Sequence, residues 1–419
     1  MKVLVIGSGL IGLTTAYFLK CRGHEVTVVD GESGPGRQTS FANGGLLSPS
    51  MPEPWNAPGC WRVLLASLGR SDTALKLRLS AVPGLTAWGI TFLRNSSPAL
   101  FERNLHSNLR LARYSLDVLR RLRAQTHLDY GGTARGSLRI FRAGASLEHA
   151  WAAVQRLAGD GLTFRTLSPA AAVELEPALA PIAAELAGAI HCPDDEAGDA
   201  WRFCEALAGR ARERGVQFHF GTSIGALEVA AGRISGARTS AGKLVADSYV
   251  IAAGSYSTRL LRPMGLALPV QPVKGYSVTF DRIDGEPALG LPLADDDLHA
   301  VVTPLEGVIR AAGTAEFAGY DLTLRPERVR NLLGLVQRLL PNRPQLSPEK
   351  ARAWCGLRPV SADGVPIIGA TRIPNLLVNS GHGPLGWTMA AGSAQLLTDI
   401  VSENSPAIDP APYAWARFG

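Results

Sequence analysis

The sequence predicts an α/β fold in two regions, a Rossmann-type parallel sheet and a discontinuous antiparallel-sheet region. Three features carry that expectation. Residues 2–6 form a continuous apolar run, followed at once by a glycine-spaced turn, a helical periodicity and a second apolar run at 25–30, which together make a βαβ unit. Helix and strand patterns return at 201–252 and again at 375–401. Between them, residues 270–279 and 298–314 are rich in β-branched residues and alternate in the manner of an antiparallel sheet.

Taken in order, the helix at 10–21 follows from apolar residues at helical spacing and stops at Gly23. Residues 37–50, rich in Gly, Ser, Asn and Gln, read as an ordered polar loop. Residues 101–126 fit a long amphipathic helix, with Leu105, Leu109, Ala112, Leu116, Leu119 and Leu122 on one stripe and arginines outside it. A helix at 201–214 precedes strand-like segments at 217–220, 226–230, 233–239 and 244–252, read together as the parallel sheet resumed. The acidic turn Asp295-Asp296-Asp297 interrupts the antiparallel stretch. Residues 325–340 are helical, 351–358 and 375–379 are strands, and 386–401 is a last helix.

Composition narrows the classes of function. A chain of 419 residues, 46% hydrophobic and 19% charged, can bury a large core and is no stapled mini-scaffold. The net charge of +6 comes from arginines scattered among Ala and Leu, which argues against a nucleic-acid partner. Five cysteines, odd in number and without a CxxC pair, give neither a zinc site nor a fully paired framework. No metal is expected, and the compartment is read as reducing and cytoplasmic. The apolar stretch 3–19 holds Gly7, Gly9 and Gly12 and lacks a following cleavage site, so it is read as fold and not as a signal peptide. No apolar run of about 18 residues predicts a spanning helix.

Gly7-Ser8-Gly9-Leu10-Ile11-Gly12 lies between the first strand and the first helix. Gly7 permits the tight turn, Gly9 lets backbone approach a pyrophosphate, Gly12 lets helix and strand pack closely, and the helix N-terminus favours negative charge. Asp30 ends the second strand, where a carboxylate can accept hydrogen bonds from an adenosine ribose. The motif does not separate NAD from FAD, because both carry ADP. Two further segments bear on that choice. Residues 38–46 include Ser40, Ala42, Asn43, Gly44, Gly45 and Leu46, with hydroxyl, amide and backbone groups able to reach phosphates and a ring system. Residues 379–388 join a strand to a helix whose positive end suits an anionic reduced flavin.

The segments GSGLIG, TSFANGGLLSPS, PWNAPG, HCPDDEAGD, AAGSYST, PVKGYS, GLRPVSADGVPIIG and NSGHGPLGWTMAAGS run in that order over essentially the whole chain. With them the sequence resembles the FAD-dependent D-amino acid oxidase superfamily, and within it the bacterial D-amino acid dehydrogenases of small-subunit type. The expected division is a Rossmann-type FAD-binding domain of residues 1–50, 186–262 and 351–419, and a substrate or cap domain of 51–185 and 263–350. The resemblance implies FAD held without a covalent bond. It places the Ile224 backbone at the adenine, Ala253 and Gly254 beside the pyrophosphate, and Asn43 facing the flavin. Gly364, Gly369 and the run from Gly383 to Thr388, which includes Leu385, Gly386 and Trp387, line the flavin. Cys355 is near the strand that carries a covalent flavin cysteine in the sarcosine oxidase branch. Its neighbours Trp354 and Gly356 do not match that branch, and Cys355 is expected to be a small buried residue.

By the same resemblance Arg358 holds the substrate carboxylate, which a guanidinium can grip with two parallel charge-assisted bonds. Tyr276 is either a second carboxylate ligand or a buried core tyrosine, and His382 lines the flavin in preference to acting as a base. The implied reaction is oxidation of a D-amino acid to a 2-oxo acid and ammonia by hydride transfer to flavin N5, with electrons leaving to a quinone or another respiratory-chain acceptor. The alternatives are a D-proline or cis-4-hydroxy-D-proline dehydrogenase, an oxygen-using oxidase, and a flavoprotein subunit of a larger complex. Residues 60–95 interleave Trp61, Leu64, Leu65, Leu68, Trp88, Ile90, Phe92 and Leu93 with Arg62, Arg70, Lys76, Arg78 and Arg94. That pattern reads equally as an interfacial segment or as ordinary helices over the core. The first reading would make the protein peripheral on the cytoplasmic face of the inner membrane, alone or with a partner subunit.

Overall fold

Val3 to Ile6 are all buried because the strand Lys2–Ile6 lies between parallel neighbours, Glu25–Val29 and Ser248–Ile251, in a sheet packed over on both faces. A strand so placed has no solvent face, hence the unbroken apolar run. The computed structural model describes residues 1–62, 75–159, 161–282, 289–296, 298, 300–341, 343 and 346–418. Among them a six-stranded sheet runs Ile367–Ala370, Leu376–Ser380, Ser248–Ile251, Lys2–Ile6, Glu25–Val29, Gln217–His219, with the Ile367–Ala370 edge antiparallel.

The helices Leu10–Cys21, Pro98–Thr126, Ala200–Glu213 and Gly386–Val401 cover one face of this sheet through a shared core that includes Val3, Val5, Leu13, Leu119, Leu207 and Leu397. The other face is covered by a small antiparallel sheet, Ile224–Ala230, Arg233–Thr239 and Gly242–Leu244, whose Leu227, Ile234 and Ala237 meet Leu4, Ile6 and Tyr249. This corrects two expectations. The strands read at 226–230 and 233–239 do not extend the parallel sheet, and 244–252 is two strands, since Ser248–Ile251 begins anew after the Asp247 carboxylate accepts the Lys2 N–H. Burial separates the two kinds of strand: Ser248–Ile251 is buried throughout, whereas Ile224–Ala230 buries only Leu227.

A nine-stranded sheet forms the second region, in the order Arg352–Ser361, Val270–Asp281, Val308–Phe317, Ala300–Leu305, Leu293–Asp295, Ser137–Phe141, Gly188–Cys192, Arg165–Leu167, with Leu75–Leu77 also paired to Val308–Phe317. The helix Pro326–Leu339 packs on one face, burying Leu332, Leu333 and Val336 against Tyr276, Val278 and Phe280. The opposite face looks toward the parallel-sheet region. Gly188–Cys192 pairs with Ser137–Phe141, so the boundary expected at 186 would divide this sheet. The helix Pro98–Thr126, assigned to the 51–185 segment, belongs by its packing to the parallel-sheet region. Gly392 is needed there, since a Cβ on it would lie 2.7 Å from the Ser115 Cα.

No helix among the described residues is long and apolar enough to cross a membrane. In the basic and aromatic stretch, Trp88 and Phe92 are buried with Val273, Phe317 and Val360, while Trp61, Ile90 and Leu93 are exposed. Leu64, Leu65, Leu68 and Arg70 lie outside the described residues, as does Asp297.

Candidate functional site

Between the two sheets lies a cavity of about 1540 Å³. Single ligand pockets usually span roughly 300–1,000 Å³, so there is room for a dinucleotide and a small substrate together. Among the residues expected to hold the cofactor, only Gly12, Gly364, Gly369 and Thr388 do not line it. Gly12 acts through packing, since a Cβ there would sit 1.9 Å from the Gly7 carbonyl oxygen. Gly364 is pressed against Pro54 and Gly369 faces Ile400. The Thr388 hydroxyl accepts the Ser48 N–H at 3.0 Å, tying the polar loop to the last helix.

The first helix starts at Gly9 with no side-chain cap and no acidic residue in its first turn, and the Leu10 N–H reaches only a long bond of 3.2 Å to Ser40 Oγ. The last helix, Gly386–Val401, likewise begins without a side-chain cap or acidic first turn. Two helix N-termini thus present N–H groups and positive dipole ends to one cavity, the donor set that a pyrophosphate and an anionic ring would satisfy. The residues fit FAD. Gly7 is at φ +110, and a Cβ there would lie 2.5 Å from Ala252 O, so the turn admits only glycine. Asp30 accepts from Ser8 N at 2.6 Å, Ser8 Oγ at 2.7 Å and Glu32 N at 2.9 Å. Its carboxylate therefore braces the glycine turn as well as facing the cavity.

The two regions are bolted together beside Arg358. Thr39 Oγ1 and Ser255 Oγ both donate to the Leu357 carbonyl, at 2.8 and 3.1 Å, and Thr303 Oγ1 donates to Gly44 O at 2.6 Å. The Arg358 side chain lies across Gly275, where a Cβ would meet Nη1 at 2.1 Å. Its Nη1 donates to Thr314 O at 3.0 Å, and the Trp55 ring stands 5.7 Å from Cζ. Thr314 is a β-branched residue at φ +57, in a break of register where Lys274 pairs with Glu316 but Tyr276 pairs with Gly313. The bulge turns a strand carbonyl out of the ladder and onto the guanidinium. Burial lowers the Arg358 pKa to about 10, and among the described residues no carboxylate pairs with it.

Tyr276 borders the cavity, but its phenol is engaged away from Arg358. Its register partner is Cys355, both face the Pro326–Leu339 helix side, and the phenol donates to Glu316 Oε2 at 2.7 Å. Alternation along the strand puts Gly275 under Arg358 and Tyr276 on the reverse face, which favours the core reading of this residue. Burial first, then Glu316, pushes its phenol pKa well up. Cys355 for the same reason points away from the cavity, its thiol donating to Leu322 O at 3.1 Å. His382 is buried in the cavity wall, and burial lowers its pKa to about 3, so the ring is neutral. Neither ring nitrogen has a partner among the described residues.

Sequence reasoning missed Gly275, Thr314 and Trp55. The first two lie in bulge geometry that no local pattern announces. Trp55 has a signal, the alternation Met51-Pro52-Glu53-Pro54-Trp55, which fixes an extended segment.

Comparison with known proteins gives the family and the fold. The D-amino acid dehydrogenase of Paramagnetospirillum magneticum is 45% identical over 411 residues, covering 97% of this chain and 96% of that protein. That of Methylobacterium radiotolerans is 42% identical over 419 residues and covers both chains in full. In fold, the chain is similar to glycine oxidase from Geobacillus kaustophilus, with a TM-score of 0.75, 24% identity and 98% and 97% of the two chains covered. Iminodiacetate oxidase from Chelativorans sp. BNC1 gives the same TM-score at 21% identity, with 98% of each chain covered. The family model described as FAD dependent oxidoreductase matches residues 2–400, and the chain belongs to that family, with FAD as its cofactor.

Proposed function

We propose that the protein oxidises D-amino acids to 2-oxo acids and ammonia, with water consumed and two electrons passed on to a quinone or another respiratory-chain acceptor. The observation that carries the reading is Arg358, a cationic side chain in the cavity that no carboxylate of the described residues neutralises. FAD, when bound, supplies the two-electron oxidation of the substrate's Cα–N bond.

The chain's own residues do the rest. Arg358 takes the carboxylate in a fork, and the Thr314 carbonyl and the Trp55 ring keep the guanidinium from swinging away. Still positive at neutral pH, it gains from a carboxylate the counter-charge its burial lacks. The N-terminus of Gly386–Val401 holds negative charge at the ring end of the cavity. His382 is too weakly basic to take a proton from an ammonium, so the amine that reacts arrives neutral and orientation does most of the work. Names of full-length relatives at 42–45% identity support the D-amino acid class. Exposed Trp61, Ile90 and Leu93, near Arg62 and Arg94, support contact with a membrane where a quinone acceptor resides.

The test is anaerobic mixing of the flavin-loaded protein with paired D- and L-amino acids while the flavin absorbance is followed. Bleaching by several D-isomers, D-alanine among them, and by none of the L-isomers is the expected result. Bleaching by D-proline or cis-4-hydroxy-D-proline alone would replace the reading with an imino-acid dehydrogenase. No bleaching by any of them would favour a subunit that relays electrons.

A further inference from the structure

We propose that Glu53, Arg139 and Asp296 form a second polar subsite in the cavity that selects D-amino acids whose side chain ends in a carboxamide. The inference rests on the reaction proposed above and names the substrate class.

Pro52 and Pro54 hold residues 51–57 extended, so side chains alternate: Pro52, Pro54 and Asn56 are buried in the wall, while Met51, Glu53, Trp55 and Ala57 line the cavity. Residues two apart in an extended segment are about 7 Å apart. Glu53 therefore stands one such step beyond Trp55, the ring over Arg358. Arg139 reaches the same cavity from the large sheet. It lies in one register line with Ala294, Val301, Ala312, Ser277 and Trp354, so all share the cavity face. Its strand is three places from the one that carries Thr314, about 15 Å of sheet. A substrate gripped by Arg358 and the side chain of Arg139 itself would together span that gap.

The bonding state of the three residues defines the ligand. Arg139 donates from Nε to Asp296 Oδ1 at 3.3 Å and from Nη2 to Asp296 Oδ2, which neutralises its charge. Its Nη1 is buried with no hydrogen-bond partner, in a residue only 8% exposed. Among the described residues no other residue donates to the Glu53 carboxylate; burial raises its pKa, with Arg139 opposing. Asp295 next door is already paired with Arg142. The subsite offers one unused donor and one unused carboxylate. A carboxamide satisfies both, its oxygen accepting from Arg139 and its NH2 donating to Glu53. A side-chain carboxylate meets Glu53 and Asp296 as like charges, an ammonium leaves the Arg139 donor unpaired, and an apolar end leaves both groups unpaired.

The experiment compares kcat/KM for D-glutamine and D-asparagine with D-glutamate, D-aspartate, D-lysine and D-methionine, each relative to D-alanine. The better carboxamide should exceed its acidic counterpart and D-methionine by about tenfold or more. In Glu53→Ala and in Arg139→Met, that ratio should fall to within about threefold, with bound flavin retained as the check on folding. A preference for the acidic or cationic substrates, or ratios that neither variant alters, overturns the subsite. Glutaramate and glutarate, which cannot be oxidised, give a second readout through the shift they cause in flavin absorbance. Glutaramate should bind about tenfold more tightly, and equal binding overturns the subsite even if no D-amino acid bleaches the flavin, the result that would overturn the reaction itself.

Discussion

The parallel-sheet wall of the cavity offers a ligand mainly backbone, and the nine-stranded wall offers mainly side chains. At the first wall Gly7, the start of the first helix and the start of the last helix present N–H groups, and side chains such as Asp30 and Thr388 serve to hold that backbone in place. At the second, Arg358 and Arg139 reach in from a sheet that bulges at Thr314, and Glu53 reaches in from the extended segment beside it. A backbone cradle is generic and recognises what many substrates share. A side-chain wall is particular to the chain that bears it, so identity of cofactor and identity of substrate are set on opposite sides of one space.

Substitutions can break each wall separately. The largest effect is expected from Gly12→Ala, whose Cβ would overlap the Gly7 carbonyl. It should cost about 3 kcal/mol or more and leave purified protein without flavin, as its visible spectrum will show. Arg358→Met should keep the flavin but lower kcat/KM for D-alanine roughly 10³-fold, by loss of a charge-assisted pair. Gly275→Ala pushes a Cβ into the Arg358 guanidinium, so KM should rise about tenfold, with flavin content held. Tyr276→Phe removes a buried hydrogen bond on the reverse face. Thermal unfolding should show a loss of about 1 kcal/mol, with KM changed less than about threefold; a tenfold rise in KM would restore the phenol to the substrate site.

A further effect, on stability alone, depends on pH. Asp195 is fully buried, with Ser50 and Ser137 as donors, and burial raises its pKa to about 6. Below about pH 4 the group is protonated in both folded and unfolded chains, and its burial carries no penalty. As pH climbs through 6, the unfolded chain has already ionised and the folded one must follow, so stability falls by up to about 3 kcal/mol. Asp195→Asn abolishes that slope, and the melting temperature of the variant relative to the natural protein should rise between pH 4 and 7.

The sequence makes the first wall readable because its information is local. Strand, glycine turn, helix and Asp30 follow one another within about thirty residues, and each has a chemical reason to be there. The second wall depends on which residues face which across strands far apart in the chain. Lys274-Gly275-Tyr276-Ser277 shows an alternation, but which face looks on the cavity is settled by Arg358 lying opposite Val273, a pairing over 85 residues that no local pattern reveals. The strands Ser137–Phe141 and Gly188–Cys192 are hidden for a related reason. Both are buried at almost every position, so the alternation that marks an antiparallel strand is missing from them.

The order of strands in the parallel sheet also sets a timetable for biosynthesis. Lys2–Ile6 is made long before Ser248–Ile251, yet it is an inner strand of the sheet and lacks that neighbour until Ser248–Ile251 has been translated. At ~5–20 residues per second that wait is about 12–50 s, during which an apolar edge needs protection from other nascent chains. The helix Gly386–Val401 comes later still and carries one of the two N-termini that face the cavity. Ribosome-bound chains should thus be unable to retain the flavin, and its capture, which can add binding energy only to a completed fold, becomes a proofreading step for finished molecules.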